Sequence, residues 1–127
     1  MKGGVWCVDG AVADFGMAHG QAGIVVALAR LVEAGIAELA EVLERAADAL
    51  CAAATGRFPA QTIGGAPQPA RALGWCYGDL SAAVALDAAG RALANRNYLS
   101  RAQHAALAVA HASTEVAGYL DASLCHG

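Results

Sequence analysis

Residues 75–78 read Trp-Cys-Tyr-Gly, and an apolar, alanine-rich run follows them directly. The chain ends on Cys125, His126 and Gly127. Two cysteines and one histidine, with the fourth position left open, are the ligand pattern of a catalytic zinc site. A helix N-terminus favours an anion, so a cysteine placed there is more easily held as the thiolate that binds a metal. We therefore expect Zn²⁺ at Cys76, Cys125 and His126.

The composition predicts one all-α domain. Hydrophobic residues make up 57% of the 127 residues, and alanine, the best helix former, is the most frequent of them. The net charge of −3 is small and Lys and Arg do not cluster, which argues against nucleic acid as a partner. No apolar run reaches about 18 residues, so no transmembrane segment is expected.

The sequence also predicts the compartment of the protein and the chemical state of its cysteines. The first residues lack the sustained apolar stretch of a signal peptide, which predicts a cytoplasmic protein. In such a chain, metal binding or free thiols are expected for the four cysteines rather than disulfides. Cys7 and Cys51 match no ligand motif, and we expect them to be inert.

The first half of the chain predicts a pair of helices and a long loop. Residues 24–32 are apolar nearly all round, which is typical of a buried helix, and Gly35 would end it. Residues 36–50 alternate apolar and charged positions at helical spacing, as an amphipathic helix does. Residues 56–75 hold all three prolines and read as a loop of about twenty residues, a length that is usually functional. Residues 1–16 are compatible with a short strand or a loop.

The second half repeats this arrangement. Residues 79–93 predict a mostly apolar helix, and Asn95 or Asn97 can cap the amphipathic helix that follows. Repeats of about fifty residues in helical chains are typical of helix-pair arrays. Alternation of buried and half-exposed helices predicts two concentric layers, with the N-termini of the inner helices at one end.

Three segments also resemble a known family. They are Gly-Met-Ala-His-Gly-Gln-Ala-Gly-Ile at 16–24, Trp-Cys-Tyr-Gly-Asp-Leu at 75–80 and Leu-Cys-His-Gly at 124–127. In this order and at this spacing they closely resemble the motifs of the lanthionine synthetase C-like family, the lantibiotic cyclases. The resemblance implies an α/α toroid of two helical layers, with the motifs at the N-termini of inner helices.

The resemblance also implies a reaction and its residues. It assigns zinc to Cys76, Cys125 and His126, an acid/base role to His19, and a place in the same site to Tyr77. The implied reaction is Michael addition of a peptide cysteine thiol to dehydroalanine or dehydrobutyrine, which closes a thioether ring. The partner would then be a dehydrated precursor peptide, and a lanthipeptide dehydratase is a further partner that the resemblance suggests.

This chain departs from the family pattern in three ways. Arg71 lies four residues before Trp75, where the family has an arginine three residues before it, and Ser81 replaces a glycine. Family members are much longer, so residues 1–127 are expected to be one partial domain. Two other functions stay open: a non-catalytic zinc protein that binds a peptide or glutathione, and an inert helical fragment without metal.

Overall fold

The computed structural model describes residues 5–6, 11–70 and 74–112, and these form four helices and a three-stranded sheet. The helices are α1 (Gln21–Glu33), α2 (Ala40–Ala53), α3 (Gly78–Ala92) and α4 (Arg96–Ala110), with a 3-10 turn at Ala37–Leu39 before α2. The strands are β1 (Val12–Asp14), β2 (Pro59–Ile63) and β3 (Ala66–Pro69). The chain is therefore mostly helical, as its composition predicts, but the all-α prediction is incomplete.

The predicted loop at residues 56–75 contains a β-hairpin. Strands β2 and β3 pair antiparallel around Gly64 and Gly65, which have φ angles of 57° and 86°. A two-residue turn with both φ angles positive matches the twist of a hairpin, and glycine adopts it without strain. Prolines normally argue against a strand, but Pro67 and Pro69 lie in the edge strand β3 and Pro59 is the first residue of β2, and missing N–H donors are tolerated at both kinds of position.

Strand β1 joins this hairpin and settles the open question about the N-terminal residues. It pairs antiparallel with β2, so that the sheet order is β1-β2-β3. The N–H of Phe15 extends the pairing by donating to the carbonyl of Ala60 over 2.9 Å. The sheet thus leads the chain from β1 directly towards the N-terminus of α1.

The helix ends follow the predicted caps. After α1, Gly35 has a φ of 98°, its N–H donates to the carbonyl of Val32, and the N–H of Ile36 donates to the carbonyl of Leu31. This pair of bonds is a Schellman motif, which satisfies carbonyls that the helix leaves open. Asn95 caps α4, because its side chain accepts from the N–H groups of residues 97 and 98.

The core between the helices is built mainly from alanine. Helix α3 packs against α1 and α4, and α1 also packs against α2. Leu43, Leu50 and Leu86 are the largest apolar side chains that are fully buried. Small side chains let the helix axes approach closely. At Gly90 of α3 the approach leaves no room for a larger residue, because a Cβ there would lie 2.7 Å from Cγ of Leu99 in α4.

Helix α1 is less enclosed than its sequence predicts. Ala22, Val25 and Ala29 are fully buried on one face, whereas Leu31 is 41% exposed. Only α2, α3 and the 3-10 turn make extensive contacts with α1 among the described elements, so one side of an apolar helix faces outward. Within the described residues, no helix is long and apolar enough to cross a membrane.

A buried tyrosine links α4 to α2. The Tyr98 hydroxyl lies 2.7 Å from Oδ1 of Asp48, to which it donates. Burial, followed by this hydrogen bond, raises the pKa of Tyr98, so the phenol stays neutral. Burial likewise raises the pKa of the Cys51 thiol in α2, which keeps it protonated, as expected of an inert cysteine.

The stability of the core is testable at Leu86. Leu86→Ala should lower the free energy of unfolding by about 2–5 kcal/mol, because it removes a fully buried side chain and leaves a cavity. Val84→Ala on the same helix is the control: Val84 is 39% exposed, and a change within about 0.5 kcal/mol is expected. Urea unfolding measures both. Equal effects of the two variants would contradict the packing described here.

A substitution at Ser81 should increase the stability of the fold rather than lower it. Its Oγ is buried and has no hydrogen-bond partner among the described residues. Ser81→Ala should raise the free energy of unfolding by about 1 kcal/mol, because the desolvation cost of an unpaired hydroxyl disappears. Ser100→Ala, at an exposed position of α4, corrects for the helix propensity of alanine. A loss of stability at Ser81 would show that its hydroxyl has a partner.

Candidate functional site

The first motif forms a tight turn at the N-terminus of α1. The carbonyl of Gly16 accepts hydrogen bonds from the N–H groups of Gly20, at 3.1 Å, and Gly23, at 3.4 Å. Gly20 is the N-cap of α1, and its extended backbone is followed at once by the helix. His19 lies in this turn and is exposed. The predicted acid/base residue is therefore accessible at a helix N-terminus.

This turn packs directly on the second motif. The N–H of Met17 donates to the carbonyl of Cys76 over 2.8 Å. A Cβ at Gly16 would lie 2.6 Å from that same carbonyl oxygen and 2.7 Å from Cε1 of Tyr77. Only glycine fits so close an approach. The structure thus brings together two of the three predicted motifs, which are far apart in the sequence.

Cys76 and Tyr77 stand at the N-terminus of α3. Cys76 is only 4% exposed, and Tyr77 is half-buried and forms the N-cap. Gly78, the first residue of the helix, has a φ of 77°, a backbone conformation that side chains disfavour. The turn sets Cys76 just before the helix start.

The oxidation state of Cys76 differs from the expectation. Cys76 is disulfide-bonded, while Cys51 is the free cysteine among the described residues. The expectation of a free thiol is therefore wrong for Cys76, whereas metal binding by its reduced form stays a prediction. Two sulfurs that share a tetrahedral zinc ion at about 2.3 Å each lie close together, so oxidation and metal binding compete for such a pair. A buried cysteine with a second sulfur at hand fits a zinc ligand in its reduced form.

The other predicted ligands, Cys125 and His126, lie outside the described residues, as do Cys7 and Arg71. Residues 5–6, 11–70 and 74–112 contain no group of three His, Cys, Asp or Glu side chains that could hold a metal. Cys76 is the single predicted ligand among them, so zinc binding stays a prediction.

The buried carboxylate of Asp79 anchors α3. The motifs alone do not explain this residue. The side chain of Asp79 is 5% exposed and accepts from Nε of Arg57 at 2.8 Å and from the N–H of Phe58 at 2.9 Å. A carboxylate in the first turn also interacts favourably with the helix dipole. These bonds tie the start of the hairpin to the helix that follows Cys76.

An equivalent anchor holds α1. Gln21 is fully buried, its Nε2 donates to the carbonyl of Ala46 in α2 over 2.8 Å, and its Oε1 accepts from the N–H of Trp6. Gln21 lies in the first motif but was assigned no role from the sequence. The sequence does carry a signal for the role of Gln21, because it is a polar residue inside a run of glycine and alanine. Such a residue is expected to be buried with hydrogen-bond partners rather than exposed.

Asp14, at the end of β1, completes the surroundings of the turn. Its Oδ1 accepts from the N–H of Gly16 at 2.7 Å. A Cβ at Gly20 would collide with the same carboxylate oxygen. The first turn of α1 has no acidic side chain of its own, so Asp14 is the carboxylate next to that helix end.

Comparison with known proteins agrees with the motifs. A family model described as lanthionine synthetase C-like protein matches residues 8–127. No curated protein and no solved structure matches the chain. The matched range covers nearly the whole sequence and includes all three motifs, so the chain belongs to the lanthionine synthetase C-like protein family.

Proposed function

We propose that this chain carries the zinc site of a lanthipeptide cyclase, which closes thioether rings in a dehydrated precursor peptide. The observation that carries the proposal is the contact between the turn that bears His19 and the buried Cys76, made by the hydrogen bond from Met17. It puts an exposed histidine and a buried cysteine on adjoining segments at two helix N-termini. Acid/base and metal-ligand residues of one reaction need this proximity.

Cys76, Cys125 and His126 would hold the zinc ion, with one position open for the substrate. When bound there, zinc lowers the pKa of a substrate thiol and so supplies a nucleophile near neutral pH. The burial of Cys76 excludes water from this ligand, which strengthens its interaction with a cation. Tyr77, packed against Gly16, would form one wall of the same site.

The residues of the turn would complete the addition. The substrate thiol loses its proton to solvent, and its sulfur forms a bond to the β-carbon of dehydroalanine or dehydrobutyrine. The electron pair of the double bond moves onto the α-carbon and its carbonyl. The resulting enolate takes up one proton at the α-carbon, and the product is an isomer of the reactants without a leaving group. An imidazolium is the natural proton donor at neutral pH, and His19 is the exposed histidine of the site.

The same proposal covers the larger architecture and the compartment. Helices α1 and α3 pack side by side, their N-termini meet at Gly16 and Tyr77, and α2 and α4 pack on them in turn. This arrangement supports a place for the described helices in an α/α toroid, with α1 and α3 in the inner layer. A reducing cytoplasm would keep Cys76 available as a ligand. The dehydrated precursor peptide would be the partner, and a lanthipeptide dehydratase would be a further one.

The metal site gives the first test. Under reducing conditions, the full chain should bind about one zinc ion per molecule, and Cys76→Ala should lose it. Cys51→Ala is the matched control, because Cys51 is a half-buried free cysteine outside the motifs. Elemental analysis of protein purified without chelator measures the content. Full zinc content in the Cys76 variant would refute the ligand assignment.

The acid/base role gives the second test. His19→Asn should keep its zinc but close rings about 10²–10⁴-fold more slowly, because a general acid is lost. His104→Asn, at an exposed histidine of α4, should cyclise at the wild-type rate. Mass spectrometry of a dehydrated precursor treated with a thiol-blocking reagent counts the remaining free cysteines.

Three other outcomes of this test are informative. Wild-type cyclisation by His19→Asn would exclude the acid/base role. Loss of zinc in that variant would assign His19 to support of the metal site. Zinc binding by the wild-type chain without any ring closure would favour the non-catalytic alternative, a protein that binds a peptide or glutathione.

A further inference from the structure

Gly16 connects the structural parts of the site. Its N–H donates to Asp14, its carbonyl accepts from two N–H groups at the start of α1, and its Cα lies against the carbonyl of Cys76 and the ring of Tyr77. Because nothing larger than glycine fits there, the position of this one residue is closely defined. A displacement of Gly16 would therefore move the turn that bears His19 relative to Cys76.

The Asp14 carboxylate contacts both ends of that turn. At one end its Oδ1 accepts from the N–H of Gly16 at 2.7 Å, and at the other end the same atom lies against Cα of Gly20, where a Cβ has no room. Asp14 itself is held by the sheet, since it is the last residue of β1 and pairs with Gln61 of β2. The carboxylate thus fixes the position of the turn relative to the sheet.

The contacts indicate that Asp14 acts as a hydrogen-bond acceptor rather than as a charge. Among the described residues, the salt bridges join Arg30, Arg45, Arg57 and Arg91 to acidic side chains other than Asp14. The partner that Asp14 does have is a backbone N–H group, which a neutral amide oxygen can satisfy equally well.

We propose that Asp14 is a positioning residue that fixes His19 relative to Cys76 and Tyr77, and that it does so through its acceptor oxygen. The proposal rests on the proposed function, in which His19 delivers the proton. A shift of about 1 Å in a group that acts on the substrate can slow a reaction by about 10²-fold. The effect of losing the Asp14 bond should therefore be seen in kcat rather than in zinc content.

Two conservative variants separate the acceptor from the charge. Asp14→Asn keeps an oxygen in the same place and removes the charge, whereas Asp14→Glu keeps the charge and moves the oxygen by one methylene group. We expect ring closure at close to the wild-type rate in the Asn variant and a fall in kcat of about 10- to 100-fold in the Glu variant. Zinc content should be unchanged in both. Asp87→Asn, at an exposed carboxylate of α3 paired with Arg91, is the control for loss of an acidic side chain.

A second readout does not depend on turnover. Amide hydrogen exchange at Gly16, measured by NMR, should be slow in the wild type and in Asp14→Asn and faster in Asp14→Glu, and the imidazole resonances of His19 should shift only in the Glu variant. If the wild-type chain closed no rings, the proposed function would fail, while these two signals would still report whether Asp14 holds the turn.

The remaining outcomes would overturn the proposal. A larger loss in Asp14→Asn than in Asp14→Glu would mean that the charge matters and the acceptor does not. A wild-type kcat in both variants would show that Asp14 does not position His19. Parallel losses of kcat in both variants, in proportion to their losses of thermal stability, would assign Asp14 a merely structural role.

Discussion

The backbone hydrogen bond from the N–H of Met17 to the carbonyl of Cys76 joins the two halves of the site. It forms only because Gly16, the preceding residue, has no side chain, so that the chain can approach the carbonyl of Cys76 and the ring of Tyr77 within van der Waals contact. A backbone bond of this kind contributes about 1 kcal/mol to stability. Its importance lies in geometry, since it sets the turn of α1 against the N-terminus of α3.

Each of these two helices is also fixed by a buried polar residue in its first turn. Gln21 of α1 bonds to α2 and to Trp6, and Asp79 of α3 bonds to Arg57 and Phe58. Burying an amide or a carboxylate is costly unless its hydrogen bonds are satisfied, so such residues tolerate only one arrangement of their neighbours. The apolar core between the helices is rich in alanine and would by itself define their axial positions less strictly, because small, smooth side chains interlock poorly. The polar anchors therefore fix the positions of the two helix N-termini more strictly than the apolar core does.

Gln21 and Asp79 lie in the first turns of α1 and α3, and His19, Cys76 and Tyr77 lie just before those two helices. Unpaired N–H groups and the helix dipole make these ends favourable for thiolates and carboxylates. Family membership explains why the three motifs occur together, and the contacts of Gly16, Asp14 and Asp79 explain how the first two are held. The small sheet connects the residues that support the two helices. Strand β1 ends on Asp14, which supports the turn before α1, and β2 begins shortly after Arg57, which supports α3.

The sequence by itself predicted the four helices, the cap at Gly35, a cap at Asn95 or Asn97, and the family, because periodicity, caps and motifs are local patterns. It misassigned the hairpin, because prolines are acceptable in an edge strand and as the first residue of a strand, and the tertiary structure decides where strands begin and which of them lies at the edge. The tertiary structure alone decided the contact of Gly16 with Cys76 and the part played by Asp14. Every residue except proline has an N–H group and every residue has a carbonyl, so the sequence carries no sign of which pair will meet, and only the packed chain selects it.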